Sequence, residues 1–216
     1  MIIAVDGPAA SGKGTLARQL AEHYGLAYLD TGSLYRAVAL GVLKAGKSPE
    51  DESAALEAAG KLDRAAIADD EIRRAGLGEA ASIVAAFPAV RDRMLGLQRH
   101  IARTPPGAVL DGRDIGTIVC PDADVKLFVT ASPEVRARRR MEELIRNGEA
   151  ASFEDVLQWL RERDHRDETR PVAPLKRAGD AHLLDTSDLD IEATFQAAVS
   201  IIDRSIIDRS IVDRQQ

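Results

Sequence analysis

The chain has little of what marks secreted, membrane-bound or nucleic-acid-binding proteins. Its 216 residues include one cysteine, Cys120, so no disulfide can form within the chain, and no apolar run approaches bilayer-spanning length. Residues 1–5 lack the basic segment and the long apolar core of a signal peptide. Acidic residues (35) outnumber basic residues (29), which argues against broad binding to nucleic acid or anionic membranes. We therefore expect a cytoplasmic protein that binds neither membranes nor nucleic acid.

What is present indicates one globular domain of the α/β class. The composition, 45% hydrophobic and 30% charged, is ordinary for a folded protein of this length. Five apolar runs predict strands, and they are nearly continuous rather than alternating, as is typical of parallel strands covered on both faces. Helical patterns separate the runs, so we expect crossover connections and a five-stranded parallel sheet flanked by helices. The predicted strands are 2–6, 26–30, 108–111, 125–130 and 181–185.

A glycine-rich segment lies between the first predicted strand and a helical pattern over residues 16–23. Strand, glycine-rich loop and helix together are the context of a phosphate-binding P-loop. Glycine at 7 and 12 allows backbone conformations in which several N–H groups converge on one anion, and the helix start adds the positive end of its dipole. The alternative is a strand-to-helix turn that binds nothing. The predicted phosphate-binding residues are Gly7, Pro8, Ala9, Ala10, Ser11, Gly12, Lys13, Gly14 and Thr15.

The P-loop departs from the general pattern at one position, which affects the magnesium site. The residue after Lys13 is usually Ser or Thr, whose hydroxyl contacts magnesium, but here it is Gly14. The loop therefore leaves the magnesium ligand unassigned. Asp111 ends an apolar strand as the acid of a Walker B element does, so it is a candidate that acts through water.

Three further segments carry candidate phosphate-binding side chains. Residues 30–36 begin a helix capped by Thr31 or Ser33, and this start would aim a hydroxyl, a phenol and a guanidinium at a second phosphate. After the fourth strand, Arg136, Arg139 and Arg140 share one helix face, where they serve either phosphate neutralisation or a solvated surface. Residues 147–174 contain a predicted helix from 153 to about 164 and a charged turn, which form either a lid over the P-loop or ordinary surface.

Five motifs in this order, at 7–15, 30–36, 82–91, 111–117 and 163–175, resemble bacterial cytidylate kinases over nearly all of residues 1–202. The resemblance implies a P-loop kinase that phosphorylates CMP and dCMP with ATP and Mg²⁺. It also implies a core of 1–30, 106–148 and 175–202, a monophosphate-binding lobe of 31–105 and a lid of about 149–174. The alternatives are a P-loop kinase for UMP or AMP and, from another class, a nucleotide-binding regulatory module.

The resemblance implies a role for each site residue. ATP would bind at residues 7–15, and the cytosine base would be read by Ser82, Arg91 and Asp114. Asp167 would bind the ribose. The monophosphate would face Thr31, Tyr35, Arg36, Arg113 and Arg170. Transfer would depend on Lys13, Arg113, Arg139, Arg140 and Arg170.

Two segments depart from the family pattern. The span 63–78 looks too short and too helical for the β-rich insert of bacterial members. Residues 200–214 repeat a Ser-Ile-Ile-Asp-Arg unit three times, with one Val for Ile. A period of five matches neither helix nor strand, so we expect a slipped duplication that extends the last helix as a tail, 203–216, without a functional role; the alternative is a helix for self-association. We expect a monomer.

Overall fold

The computed structural model describes residues 1–62, residue 72 and residues 77–213, with side chains described up to residue 208. Five parallel strands form a sheet in the order β2-β3-β1-β4-β5. All five predicted strands are confirmed, and no end differs from its prediction by more than one residue. The strands are β1 Ile2–Asp6, β2 Ala27–Asp30, β3 Ala108–Gly112, β4 Val125–Thr130 and β5 His182–Asp185.

Helices cover both faces of this sheet and form a separate lobe beside it. They are α1 Lys13–Tyr24, α2 Thr31–Lys44, α3 Glu52–Gly60, α4 Leu77–Val84, α5 Pro88–Arg103, α6 Pro133–Arg146, α7 Phe153–Thr169 and α8 Ile191–Asp213, with a π-helical turn at Ile115–Val119. Within the described part of the chain, no helix combines the length and the apolar character needed to cross a bilayer.

The strand register places polar side chains together at one edge of the sheet. Asp30 at the end of β2 lies beside Asp111 of β3, and Asp6 at the end of β1 lies beside Gly112. Residues 3–5 of β1 and 108–110 of β3 are apolar and buried, in agreement with the continuous apolar runs, whereas β4 also buries Lys126 and the edge strands β2 and β5 are partly exposed. The carboxyl ends of the three strands therefore converge at one edge, which is where open α/β sheets bind ligands.

The helical lobe has a hydrophobic core of its own. Leu34 and Val38 of α2 pack with Ala55 of α3, Val84 of α4 and Met94 of α5, and all five side chains are buried. This confirms a helical segment between the second and third strands for the residues described there. The expectation about the insert at 63–78 lies outside the described residues, apart from residues 72, 77 and 78.

Two local predictions were wrong. The predicted helix from 153 to about 164 continues to Thr169, so the expected charged turn is largely helical. Its opposite charges stand four residues apart, as in Arg163 and Asp167, and such pairs support a helix; α7 ends only before Pro171. The cap of α2 is Asp30 rather than Thr31 or Ser33, because its carboxylate accepts the N–H of Ser33.

The repeated tail continues the last helix, as expected. α8 runs without a break to Asp213, which includes most of the three repeats. Its first repeats are attached to the domain, because the Tyr24 hydroxyl donates to Asp203 Oδ1 at 2.8 Å and Ser205 Oγ lies 3.2 Å from His182 Nε2. The helix therefore continues past Asp203 and Ser205, which bind the domain.

Candidate active site

The P-loop has the backbone geometry of an anion-binding loop. Gly7 and Gly12 have φ values of 154° and 87°, and Ala10 also has a positive φ of 58°. α1 begins directly after Gly12, so the N–H groups of its first turn face the loop. Burial and repulsion from Arg113 lower the pKa of Lys13 to about 8, which indicates an ammonium group short of negative partners. A phosphate group would supply the missing charge.

A cleft of about 350 Å³ opens between the P-loop, the sheet edge and the helical lobe. Seven cationic and five acidic side chains line it, although the whole chain carries a net charge of −6. The cleft is therefore an electropositive region in an acidic protein, suited to phosphate groups. The predicted site residues that line it are Ala9, Ala10, Lys13, Gly14, Thr31, Tyr35, Arg36, Ser82, Arg91, Asp111, Arg113, Asp114, Asp167 and Arg170.

The structure explains why glycine follows the P-loop lysine. A Cβ atom at residue 14 would lie 2.9 Å from Asp111 Oδ2, so Gly14 lets this carboxylate approach the loop closely. The Tyr28 hydroxyl donates to the same oxygen at 3.1 Å. Burial raises the pKa of Asp111 while Lys13 opposes the rise. An acid at this place fits a magnesium ion that takes most of its ligands from phosphate and water.

Two pairs of opposite charge line the cleft. Arg91 of α5 binds Asp114, and Arg170 Nη2 lies 3.5 Å from the other oxygen of the same carboxylate. Arg113 donates from Nε to Asp167 Oδ2 at 2.8 Å. Burial alone would raise the pKa of Asp167, but Arg113 and Arg163 hold it below its usual range. Asp167 is therefore an ionised acceptor at neutral pH, and the carboxylates of both pairs are buried.

The remaining predicted side chains connect the two sides of the cleft. Thr31 Oγ1 donates to the carbonyl oxygen of Asp111 at 2.7 Å, and Ser82 Oγ donates to Asp167 Oδ1 at 3.4 Å. The guanidinium of Arg91 lies over the Tyr35 ring, 5.6 Å from its centroid. The structure thus brings residues from four separate segments of the chain into one pocket.

Two guanidinium groups in the cleft have donors without a partner. Arg36 binds Asp30, yet its buried Nε has no hydrogen-bond partner among the described residues, and neither has Nε of Arg163. Burial and repulsion from Arg113 lower the pKa of Arg163 to about 10. Buried donors without partners are costly, and an anion in the cleft would satisfy them.

The sequence places Arg163 in the charged segment of a lid or of ordinary surface and not among the predicted site residues, although it lines the cleft together with Arg18. A signal was present: Arg163 stands four residues before Asp167 and seven before Arg170. Residues at these separations share one helix face. The predicted end of α7 near residue 164 concealed this periodicity.

Three arginines of α6 do not line the cleft. Arg136, considered for phosphate neutralisation, is buried and donates instead to the carbonyl oxygens of Ala131 and Ala9 and to Asp164. The Arg139 guanidinium donates to Thr186 Oγ1 at 2.9 Å and to its carbonyl oxygen at 2.7 Å. Arg140 pairs with Glu143 and lies over the Trp159 ring.

Comparisons with known proteins identify the family of the chain. The family model for cytidylate kinase matches residues 3–204. The chain is 58% identical to the cytidylate kinase of Azorhizobium caulinodans over 95% of this chain and 99% of that one, and 59% identical to that of Xanthobacter autotrophicus over 94% and 97%. A gluconokinase structure from Sinorhizobium meliloti, 15% identical, superposes with a TM-score of 0.52 over 99% of this chain and 97% of that one, and so shares the fold. The chain belongs to the cytidylate kinase family.

Proposed function

We propose that the protein transfers the γ-phosphoryl group of ATP to CMP and dCMP, giving ADP and CDP or dCDP. The observation that carries this proposal is the Arg91–Asp114 pair, which lines the same cleft as the P-loop lysine. Both side chains are 7% exposed, so a base placed against them is read in a largely water-free environment. The comparisons support this specificity and give no support to a UMP or AMP kinase or a regulatory module.

The chemistry of the pair suits cytosine. Cytosine presents an amino donor at N4 and acceptors at N3 and O2, so the Asp114 carboxylate matches the first and the Arg91 guanidinium the others. Uracil has a carbonyl oxygen where cytosine has the amino group, and that oxygen would face Asp114 and be repelled. A mismatched polar group in a buried site is costly, since both partners lose their hydrogen bonds.

Transfer itself requires positioning and charge neutralisation. An ionised oxygen of the CMP phosphate attacks the γ-phosphorus, and the bond from that phosphorus to the β,γ-bridging oxygen of ATP breaks as ADP leaves. No general base is needed, because the attacking oxygen is already ionised. We assign Lys13 and the N–H groups of residues 7–15 to the ATP phosphates. We assign Arg36, Arg113 and Arg170 to the CMP phosphate, and Ser82 and Asp167 to the base edge and the sugar.

Asp111 is the residue that would hold magnesium, through water, at the P-loop end of the cleft. When bound, the ion neutralises charge on the ATP phosphates. No group of three or more acidic, histidine or cysteine side chains that could hold a metal occurs among the described residues. The nucleotide phosphates and water would therefore supply most of its ligands.

Arg139 and Arg140 of α6 complete the proposal. Neither lines the cleft, although a Cβ at residue 12 of the P-loop would lie 3.9 Å from Arg139 Nη1, and we propose that closure of the lid, residues 149–174, brings both guanidinium groups to the transferring phosphoryl group. We propose that this lid and the lobe of residues 31–105 move against the core, and that closure excludes water and so prevents ATP hydrolysis. We also propose that the enzyme works as a monomer in the cytoplasm.

A coupled assay of ADP release with ATP and a panel of nucleoside monophosphates tests the proposal. We expect turnover of CMP and dCMP and a much lower kcat/KM for UMP and AMP. Equal kcat/KM values for CMP and UMP would contradict base reading by Asp114. Turnover of none of the four would contradict the assignment as a nucleotide kinase.

A further inference from the structure

A π-helical turn, Ile115–Val119, follows Asp114 directly and fixes the position of the Asp114 carboxylate. Its hydrogen bonds span five residues: Val119 N–H donates to Asp114 O at 3.1 Å, and Cys120 N–H to Ile115 O at 2.7 Å. Turns of this kind are rare and occur frequently at functional sites. The contacts that hold the turn therefore bear directly on the position of Asp114.

Asp6, the last residue of β1, binds the N-terminal end of the turn. Its two carboxylate oxygens accept the N–H groups of Ile115 at 2.8 Å and Gly116 at 2.7 Å. These N–H groups have no partner within the turn, so Asp6 supplies the acceptors that the turn itself lacks. Because Gly7 follows Asp6, this contact ties the turn to the P-loop.

The other end is held by Arg99 of α5. Its Nε donates to the carbonyl oxygen of Val119 and its Nη2 to that of Ile118, both at 2.9 Å. Asp6 thus binds the N–H groups at the start of the turn, and Arg99 binds the carbonyl groups at its end. None of these roles was evident in the sequence, because the π-helical turn itself was not predicted.

Arg99 and Arg91 belong to the same helix and bind the two ends of one short segment. Eight residues separate them, which is about 12 Å along α5. Arg91 binds Asp114 just before the turn, and Arg99 binds the carbonyl groups that end it. A segment held at two points along one helix cannot rotate against that helix, so the Asp114 carboxylate keeps a fixed orientation.

We propose that Arg99 is a positioning residue for recognition of the acceptor base. It does not line the cleft; it fixes Asp114 through the π-helical turn, whose other end Asp6 anchors to the P-loop strand. The inference rests on the proposed reading of cytosine by Asp114. It predicts that a change at Arg99 alters the affinity and choice of the acceptor more than the use of ATP.

The test compares Arg99→Gln with Arg99→Lys and with a control on the same helix, Arg103→Gln. Arg103, one turn further along α5, makes an exposed ion pair with Asp122, which follows the last residue of the π-helical turn by three residues and is not part of the turn. Arg99 is preferred to Asp6 as the test position, because a change at Asp6 would also disturb Gly7. For each variant, KM for CMP, KM for ATP, kcat and the CMP:UMP ratio of kcat/KM are measured together with the melting temperature.

We expect Arg99→Gln to raise KM for CMP on the order of tenfold and to lower the CMP:UMP ratio, with KM for ATP within about twofold of wild type. Arg99→Lys keeps the charge, so its KM for CMP and its CMP:UMP ratio should lie between those of Arg99→Gln and wild type. Arg103→Gln should match wild type in both quantities. If Arg99→Gln does not fold, Arg99→Lys is judged by the same criteria. A lower melting temperature with unchanged KM for CMP and CMP:UMP ratio would overturn the inference and leave Arg99 a structural role. Wild-type enzyme that fails to turn over CMP would instead overturn the proposed function.

Discussion

The donor and acceptor sides of the cleft are built in different ways. The donor side, to which we assign ATP, is a continuous loop, residues 7–15, with backbone N–H groups and one lysine. The acceptor side consists of side chains from α2, α4, α5, the end of β3 and α7, held by buried ion pairs such as Arg91–Asp114 and Arg113–Asp167. Backbone groups can hold any polyphosphate, whereas paired side chains can tell one base from another. The comparison predicts that ATP binding and base choice depend on separate halves of the site and can be changed independently.

The largest effect should come from the donor side. Lys13→Ala removes the P-loop charge that we assign to the ATP phosphates and should lower kcat by two to three orders of magnitude, about 2.7–4 kcal/mol. The affinity for CMP should remain nearly that of wild type, because the acceptor side is unaltered. Steady-state kinetics give the first quantity, and a variant that kept near-normal turnover would contradict the P-loop assignment.

A change on the acceptor side should affect base choice. Asp114→Asn offers an amide donor to uracil O4, so the CMP:UMP ratio of kcat/KM should shrink by an amount equivalent to about 1–3 kcal/mol. The same panel of monophosphates measures it. Ser82→Ala is a milder change in the same pocket and should leave the ratio nearer to wild type. An unchanged ratio in Asp114→Asn would place cytosine recognition elsewhere.

The pH dependence of kcat/KM for ATP should report the charge of Lys13 on the donor side. With a pKa lowered to about 8, Lys13 of the free enzyme is charged below that pH and becomes neutral above it. The kcat/KM for ATP should therefore fall about tenfold per pH unit once the pH is well above 8. Lys13→Arg keeps its charge and should abolish this decline, although its overall rate will be lower. A wild-type profile that stays flat to pH 10 would contradict the assigned pKa.

The smallest effects should come from the repeated tail, which lies outside both halves of the site. Truncation after Ser205 removes only the later repeats and should leave CMP turnover, solution mass and melting temperature unchanged. Truncation after Ile202 also removes the Asp203 and Ser205 contacts, and one surface hydrogen bond is worth about 0.5–1.5 kcal/mol. We expect a slightly lower melting temperature and normal turnover. A change of solution mass in either truncation would show that the tail mediates association.

The same comparison explains what the sequence could predict. The five strands and the P-loop are local features, set by apolar runs and by a contiguous motif, and their predicted ends agree within one residue. The length of α7 was underestimated because a stretch of alternating charges resembles a turn, although its opposite charges stand at helical spacing. The caps also depend on geometry: Asp30 accepts the Ser33 N–H because the end of β2 brings its carboxylate there.

The ion pairs of the acceptor side could not be predicted from spacing. Arg91 and Asp114 are 23 residues apart, and Arg113 and Asp167 are 54 apart, so only the packing of the lobe and α7 against the sheet reveals these partners. The resemblance to cytidylate kinases indicated which residues belong to the site, but it did not indicate how they pair. The π-helical turn and its anchors Asp6 and Arg99 had no sequence signal at all.

The separation of the two halves is tested most directly by equilibrium binding of each nucleotide to each variant. Titration calorimetry with ATP and CMP on Lys13→Ala and Asp114→Asn gives four affinities to compare with wild type. We predict that Lys13→Ala binds CMP with wild-type affinity and ATP more weakly, and that Asp114→Asn binds ATP with wild-type affinity and CMP more weakly. Loss of both affinities in either variant would contradict the account, because it would mean that one set of contacts holds both nucleotides.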